Sequence, residues 1–205
     1  MKTYSGYTEK TAENLLLDAG AFFKNFDVEN DTFEAAVQAG KLLGATKGGG
    51  EFSAVPAVRQ VEVDGVKGRA KGLEILDSWD VYIKANVLEV TEQTLKDALV
   101  ASVIDKETSE KYIVIKGKNF IGLSDYVDNV TWVGTLSGSD EPVIIQVTNA
   151  LNTDGLKVAT QDKAEGVVTM TFYGHYADNL DEPPFAIYYP KAEAEEVAEE
   201  VAEEE

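Results

Sequence analysis

Hydrophobic and polar positions alternate most regularly between Glu51 and Val90. An outgoing arm, Phe52 to Val63, ends at Asp64-Gly65, a pair that favours a reversal because glycine accepts the positive φ of the turn. A basic, glycine-punctuated stretch, Val66 to Leu73, follows. The return arm then sets Trp79, Val81, Ile83, Ala85 and Val87 on one face and Asp80, Tyr82, Lys84, Asn86 and Leu88 on the other. Period-two alternation predicts strands with one buried face and one wet or partner-facing face. A ribbon this long exceeds what the core of one small domain needs, so part of it is expected to pair with other copies of the chain.

Before the ribbon, Asn14–Leu17 and Gly20–Phe26 read as a first strand bent at Asp18–Gly20. Asp31 is the expected N-cap of a helix from Thr32 to Leu43, with Glu34 in capping-box position and Phe33, Ala36 and Val37 on one stripe. Gly40 continues that stripe without a side chain, and Gly44–Gly50 reads as a flexible loop. After the ribbon, Thr91 caps a second helix through Ala101, with Leu95, Ala98 and Leu99 facing inward. Strands are then expected at Lys111–Lys116, Tyr126–Leu136, Pro142–Asn149, Leu156–Gln161 and Gly166–Tyr176, with an edge strand at Phe185–Tyr189. Regular strands between Gly, Asp and Asn turns predict a mainly β fold, a β-sandwich or barrel carrying one or two short helices and a long β-hairpin. The expected organisation is a polar N-terminal arm over 1–13, a β domain over 14–190, and an acidic low-complexity tail over 191–205 with too few apolar groups to pack.

Composition narrows the function. The chain has 205 residues, 44% of them hydrophobic, and no cysteine, which excludes disulfides and thiolate metal sites. No apolar run approaches the roughly 20 residues of a membrane span, and Met1–Ser5 lacks a leader's apolar core, so neither membrane insertion nor cleaved-leader export is expected. Net charge is −19; eight of the 37 acids lie in the last thirteen residues, leaving −11 on the rest. A surface that acidic repels nucleic acid rather than holding it by phosphate neutralisation.

Catalytic motifs do not emerge. The one histidine, His175, sits in a strand pattern with no triad partner beside it, and no Gly-x-Ser-x-Gly elbow occurs. Lys47 precedes Gly48-Gly49-Gly50 instead of following the glycines as in a phosphate loop. Asn152-Thr153-Asp154-Gly155 resembles the middle of a calcium loop, but Ala150 and Gln161 occupy the first and twelfth positions, so a turn explains it. No enzyme activity, catalytic residue, metal or cofactor is expected. The densest cationic cluster is Lys67, Arg69 and Lys71, which reads either as a solvated loop or as a contact to an acidic edge of another subunit.

Asn14–Phe26, Leu43–Gly50, Val61–Arg69 and Asp77-Ser78-Trp79 together resemble, in order and spacing, the major tail tube proteins of long-tailed (siphovirus-type) bacteriophages and prophages of Gram-positive bacteria. The resemblance is continuous over about residues 14–100 and looser beyond. It implies a structural virion protein that polymerises as stacked hexameric rings into a hollow tube, through which DNA passes without specific binding. It further implies assembly in the bacterial host cytoplasm, and contacts with tape measure, tail terminator and distal tail proteins. Carried onto this chain, the lumen strands are roughly Ala54–Val63 and Trp79–Leu88, with Val58, Gln60, Glu62, Asp80, Tyr82, Lys84 and Asn86 as lumen candidates. Like charge would line the bore. Lys47, Gly48, Gly49, Gly50, Asp64, Gly65, Lys67, Arg69 and Lys71, with the N-terminal arm, are the subunit and ring contacts that it implies, and the acidic tail is expected outside the tube. Closing strands across subunits removes the open edges of a long ribbon, and a repeated head-to-tail interface closes rings.

Two other classes compete. A β-sandwich binding module, carbohydrate-binding or adhesin-like, would present an aromatic row, for which Tyr173, Tyr176, Tyr188 and Tyr189 are the candidates. The tube protein of a contractile tail or of a type VI secretion system would share the fold.

Overall fold

The computed structural model describes residues 4–191, and the expected acidic tail lies almost wholly outside them. Two antiparallel sheets pack face to face. One holds β1 (Ala21–Lys24), β6 (Val127–Gly134), β7 (Val143–Asn152) and β10 (Phe185–Tyr188), in that spatial order. The other runs β2 (Thr46–Gln60), β3 (Glu74–Val87), β9 (Ala164–Tyr173), β8 (Lys157–Gln161). The two sheets join where the end of β7 pairs with the end of β9 (Leu151 with Tyr173, Asn152 with Phe172). The mainly β fold predicted, a sandwich or barrel with short helices and a long hairpin, is found, here as two packed sheets.

The core lies between the sheets and follows the predicted alternation. Val81, Ile83, Ala85 and Val87 of β3 are buried, as are Val168, Met170 and Phe172 of β9. They meet Phe22, Val130 and Val147 from the facing sheet. A second, smaller core sits on the outer face of the β1–β6–β7 sheet, where Phe23, Phe26 and Ile144 pack with Ala36 of α1 (Phe33–Gln38).

This first helix is shorter than its sequence predicts. Its N-cap is Thr32, whose Oγ1 accepts from the Ala35 amide at 3.2 Å, and not Asp31. Asp31 instead accepts from the Asp27 amide and pairs with Lys41. Gly40 ends the helix and does not continue its stripe. Its φ is +70°, its amide donates to the Val37 carbonyl, and the Lys41 amide donates back to Ala36, the Schellman pattern that glycine permits. Phe33 and Val37 remain largely exposed.

The second helix, α2 (Glu92–Asp97), is capped by Thr91 as predicted but stops short of Ala101. The chain then forms β4 (Ser102–Asp105), which the sequence reading missed and which pairs, among the described residues, only with β5 (Val114–Gly117). Asp97 ties α2 to β1 through Lys24 at 2.7 Å. The strand expected at Asn14–Leu17 reduces to a single bridge, Leu16 with Leu136, because only Ala21–Lys24 reaches into register with β6. Of the N-terminal arm, the described part is exposed and carries one short 3-10 turn, Glu9–Glu13.

Candidate subunit interface

The β2–β3 ribbon is the longest feature of the fold, and β2 pairs on one side only among the described residues. Pro56, which has no amide hydrogen to donate, sits in this strand opposite Trp79, as suits an edge position. At the other margin of the same sheet, β8 pairs only with β9.

The Gly44–Gly50 segment is not a free loop. Thr46–Gly50 belongs to β2, and the register slips between Thr46 and Gly50, forming a bulge where Gly48 and Gly49 take φ of +78° and +61°. At Gly50 a Cβ would lie 2.1 Å from the Lys84 carbonyl oxygen and 2.4 Å from Phe22 Cζ, so only glycine lets β2 approach β3 and the Phe22 ring this closely. Lys47 pairs with Glu165 of β9 at 2.6 Å.

At the far end, β2 and β3 are joined by residues 61–73. The Val66 amide donates to the Val63 carbonyl, closing the Asp64-Gly65 turn, and Gly65, Gly68 and Gly72 all have positive φ. Lys67, Arg69 and Lys71 are exposed here, and none of them enters an ion pair found among the described residues. Apolar side chains accompany them into solvent, with Val58 54% exposed, Leu76 50%, Val63 47% and Val66 44%. The predicted interface residues therefore fall into two groups at opposite ends of one ribbon, Lys47–Gly50 at one and Asp64–Lys71 at the other.

The seven lumen candidates also divide. Directly paired residues share a face of a sheet. Tyr82 is opposite Ser53 and Asp80 opposite Val55, whereas Pro56, on the other face, is opposite Trp79. Val58 and Gln60 follow Pro56 and so lie on the Trp79 face, away from Asp80, Tyr82, Lys84 and Asn86; Glu62 is beyond the strand. The sequence pattern of each arm was right, but only the register between arms fixes which faces match.

The face carrying Asp80, Tyr82, Lys84 and Asn86 is turned from the core and hydrogen-bonded across strands. Tyr82 Oη donates to Glu51 at 2.6 Å, Thr169 Oγ1 donates to Asn86 at 3.0 Å, and the Tyr82 and Tyr173 rings lie 5.8 Å apart. The bond to Glu51 raises the Tyr82 phenol above its ordinary pKa.

Between the sheets, at the bulged end of the ribbon, an open cavity of about 450 Å³ is lined mainly by Leu16, Phe22, Phe52, Ile83, Trp132 and Ile145. Sequence reasoning missed it, because its walls come from five separated segments. Asp18 stands in its wall. Thr135 donates to it from side chain (2.6 Å) and backbone, the Gly20 amide adds a third bond, and the Thr135 hydroxyl above all lowers the Asp18 pKa. The adjoining Ala19 carbonyl accepts from Trp132 Nε1 at 2.9 Å.

The four candidate tyrosines do not form a row. Tyr173 lies on the outer face of the β2–β3–β9–β8 sheet, and Tyr188 on the outer face of the other sheet. The Tyr176 hydroxyl accepts from the Trp79 amide, and Tyr189 Oη donates to Asn14. His175 is part-buried, its Nδ1 3.0 Å from the Asn149 carbonyl and its ring edge-on to Tyr126. Among the described residues, no helix is long and apolar enough to cross a membrane. No family model matches the chain, and no curated protein matches it.

Proposed function

We propose that this chain is the repeating subunit of a hollow tube, a tail tube protein of the long-tailed bacteriophage type that stacks as hexameric rings and lets DNA pass. The observation that carries the reading is the pair of open edges on one four-stranded sheet. Along that sheet β2, β3, β9 and β8 alternate in direction, so β2 and β8 are antiparallel to each other. Pairing β2 of one copy with β8 of the next continues the alternation without a break, whatever the number of copies. A heterologous contact of that kind closes into a ring when the rotation between copies closes, and leaves neither edge of this sheet exposed.

With the other sheet packed on its core side and α1 beyond that sheet, the face left for the bore is the one bearing Glu51, Ser53, Asp80, Tyr82, Lys84, Asn86, Thr169 and Thr171. Val58 and Gln60 are then directed away from it. The six-fold ring, the virion location and the contacts to tape measure, terminator and distal tail proteins belong to the resemblance and are part of this proposal.

Sedimentation and negative-stain imaging of the full chain across a concentration series test it. The expected result is rods with a central channel. A species that stays monomeric at every concentration, or closes as a two-fold dimer through β2 alone, overturns it.

A further inference from the structure

Two open cavities of about 470 and 410 Å³ lie side by side on the outer face of the β1–β6–β7–β10 sheet, the face that also carries α1. Gln146 and Tyr188 line both of them. We propose that together they form one groove for an uncharged oligosaccharide, with the Tyr188 ring as the platform between two sugar subsites. The tube reading makes no use of this surface, and the inference stands without it.

Strand register builds the groove. Ala186 stands opposite Gln146 and Tyr188 opposite Ile144, so all four side chains point to this face. Ala186 is too short to fill the space beside Gln146. Tyr188 is 42% exposed on a strand at the sheet margin, which leaves much of its ring open.

The oriented polar atoms around that ring are acceptors. Gln146, only 9% exposed, donates through Nε2 to the Phe26 carbonyl and to the Thr131 hydroxyl, each at 3.0 Å. A carbonyl only accepts, so this contact fixes which branch of the amide is the nitrogen. Oε1 accepts no hydrogen bond among the described residues and is not sealed from solvent, so it is the polar atom left for a ligand. The Asn149 carbonyl orients His175 in the same way. Nδ1 donates to it at 3.0 Å, and Nε2 is then the acceptor of the uncharged ring. Asn149 donates through Nδ2 to the His175 carbonyl at 3.1 Å, leaving Oδ1 as its acceptor. Glu182 adds a carboxylate to one cavity and Asp128 to the other.

This lining selects among ligand classes. No lysine or arginine borders either cavity, so a phosphate or sulfate group finds no counter-charge. No group of three His, Asp or Glu side chains that could hold a metal ion occurs among the described residues. A surplus of oriented acceptors calls for a ligand rich in donors, and an open aromatic ring calls for a flat apolar face. A sugar has both, hydroxyls around its rim and C–H bonds on its faces. Two cavities that meet at one ring suit a chain of sugars better than a single unit.

Titration of the full chain with cellotetraose, maltotetraose, mannotetraose and chitotetraose, followed by ligand-observed NMR, tests the groove. At least one should bind with a Kd of about 1 mM or tighter. Tyr188→Ala should weaken that binding about tenfold or more, and Tyr188→Trp should retain it. Tyr189→Ala, outside the groove, should leave it unchanged, with circular dichroism native in each variant. The fully O-methylated form of the bound sugar keeps the ring faces but has no hydroxyl donor, and should not bind. The proposal is overturned if no neutral tetrasaccharide binds, or if a folded Tyr188→Ala variant binds as well as wild type. Equal binding of the methylated sugar overturns it too, as does tighter binding of spermine than of any neutral sugar, which would make the acceptors a cation site.

Discussion

Replacing Gly50 by alanine separates the two accounts of the Gly44–Gly50 segment. A flexible loop would accept the methyl group at almost no cost, and would gain slightly from a stiffer unfolded chain. In the structure the added Cβ would meet the Lys84 carbonyl oxygen at 2.1 Å and Phe22 Cζ at 2.4 Å. The first of these is backbone in the middle of β3, held on both sides by β2 and β9, and cannot move alone. The second is a ring 2% exposed in the main core. Relief therefore requires β2 to lift from β3 or Phe22 to leave its place, an overpacking cost of about 1–3 kcal/mol. For a chain of this length that corresponds to a loss of very roughly 3–10 °C in Tm.

Gly48→Ala is the paired control. Nothing lies within 4 Å of its missing Cβ, so only the φ of +78° resists substitution, at about 1 kcal/mol. Thermal and urea unfolding, followed through Trp79 and Trp132, should rank the variants wild type, Gly48→Ala, Gly50→Ala in falling stability. Gly50→Ala equal to wild type would refute the bulge as a packed element of the ribbon.

Reversing Lys67, Arg69 and Lys71 to Glu together should leave far-UV circular dichroism and Tm close to wild type, since these side chains make no ion pair among the described residues, yet abolish rods; normal tubes by electron microscopy would remove the tip cations from assembly. Acid should destabilise the fold with a definite sign. Asp18 and Asp125 have folded-state pKa values depressed by hydrogen bonds, chiefly from Thr135 and Lys118 respectively. Their contribution is complete above about pH 4, the unfolded carboxylate value, and is lost as pH falls through the lower folded values. Asp125→Asn should thus lower Tm at pH 7 and shrink the fall in Tm between pH 5 and pH 2. An unchanged pH profile would count against the Lys118 pair.

The parts of the fold legible in the sequence are those governed by local periodicity. The β3 alternation from Trp79 to Val87 and the caps at Thr91 and Asp64-Gly65 are written within a few residues, and all are found. What was misread depends on partners distant in the chain. Gly48-Gly49-Gly50 looks like a linker until β3 and Phe22 are placed against it. Asp31 has the right chemistry for an N-cap, but Lys41 and the Asp27 amide hold it elsewhere. β4 is only four residues long and has meaning only beside β5. The same holds for the candidate interface. The residues proposed for its two ends stand out one by one in the sequence, whereas the cavity between the sheets, built from Leu16, Phe22, Gly50, Ile83, Trp132 and Ile145, has no local signature.

The acidity of the chain also needs placing, because the resemblance assigns it to the bore. On the face proposed to line the bore, Glu51 stands directly opposite Lys84, and Arg59 pairs with Asp77 at 2.8 Å. Lys47 pairs with Glu165, whereas Asp80 enters no ion pair among the described residues, and Lys157 of β8 lies far from it, at the level of Thr169. On its strands the four bases Lys47, Arg59, Lys84 and Lys157 equal the four acids Glu51, Asp77, Asp80 and Glu165, with Asp154 beside Tyr173 adding one more acid, so most of the surplus of acids lies elsewhere. In the proposed tube, passage of DNA would not then depend on a wall of carboxylates. Nucleic acid is held by free cations that displace counterions, and here three of the four bases stand beside or opposite a carboxylate. The tyrosine, threonine and asparagine side chains around them are hydrogen-bonded to one another or to Glu51 and Asp154. In the proposed tube, a lining that carries no surplus of cations, and whose Tyr82, Tyr173, Thr169 and Asn86 side chains are hydrogen-bonded within the sheet, offers a passing polyanion little to grip, and that property follows from the strand register of this sheet.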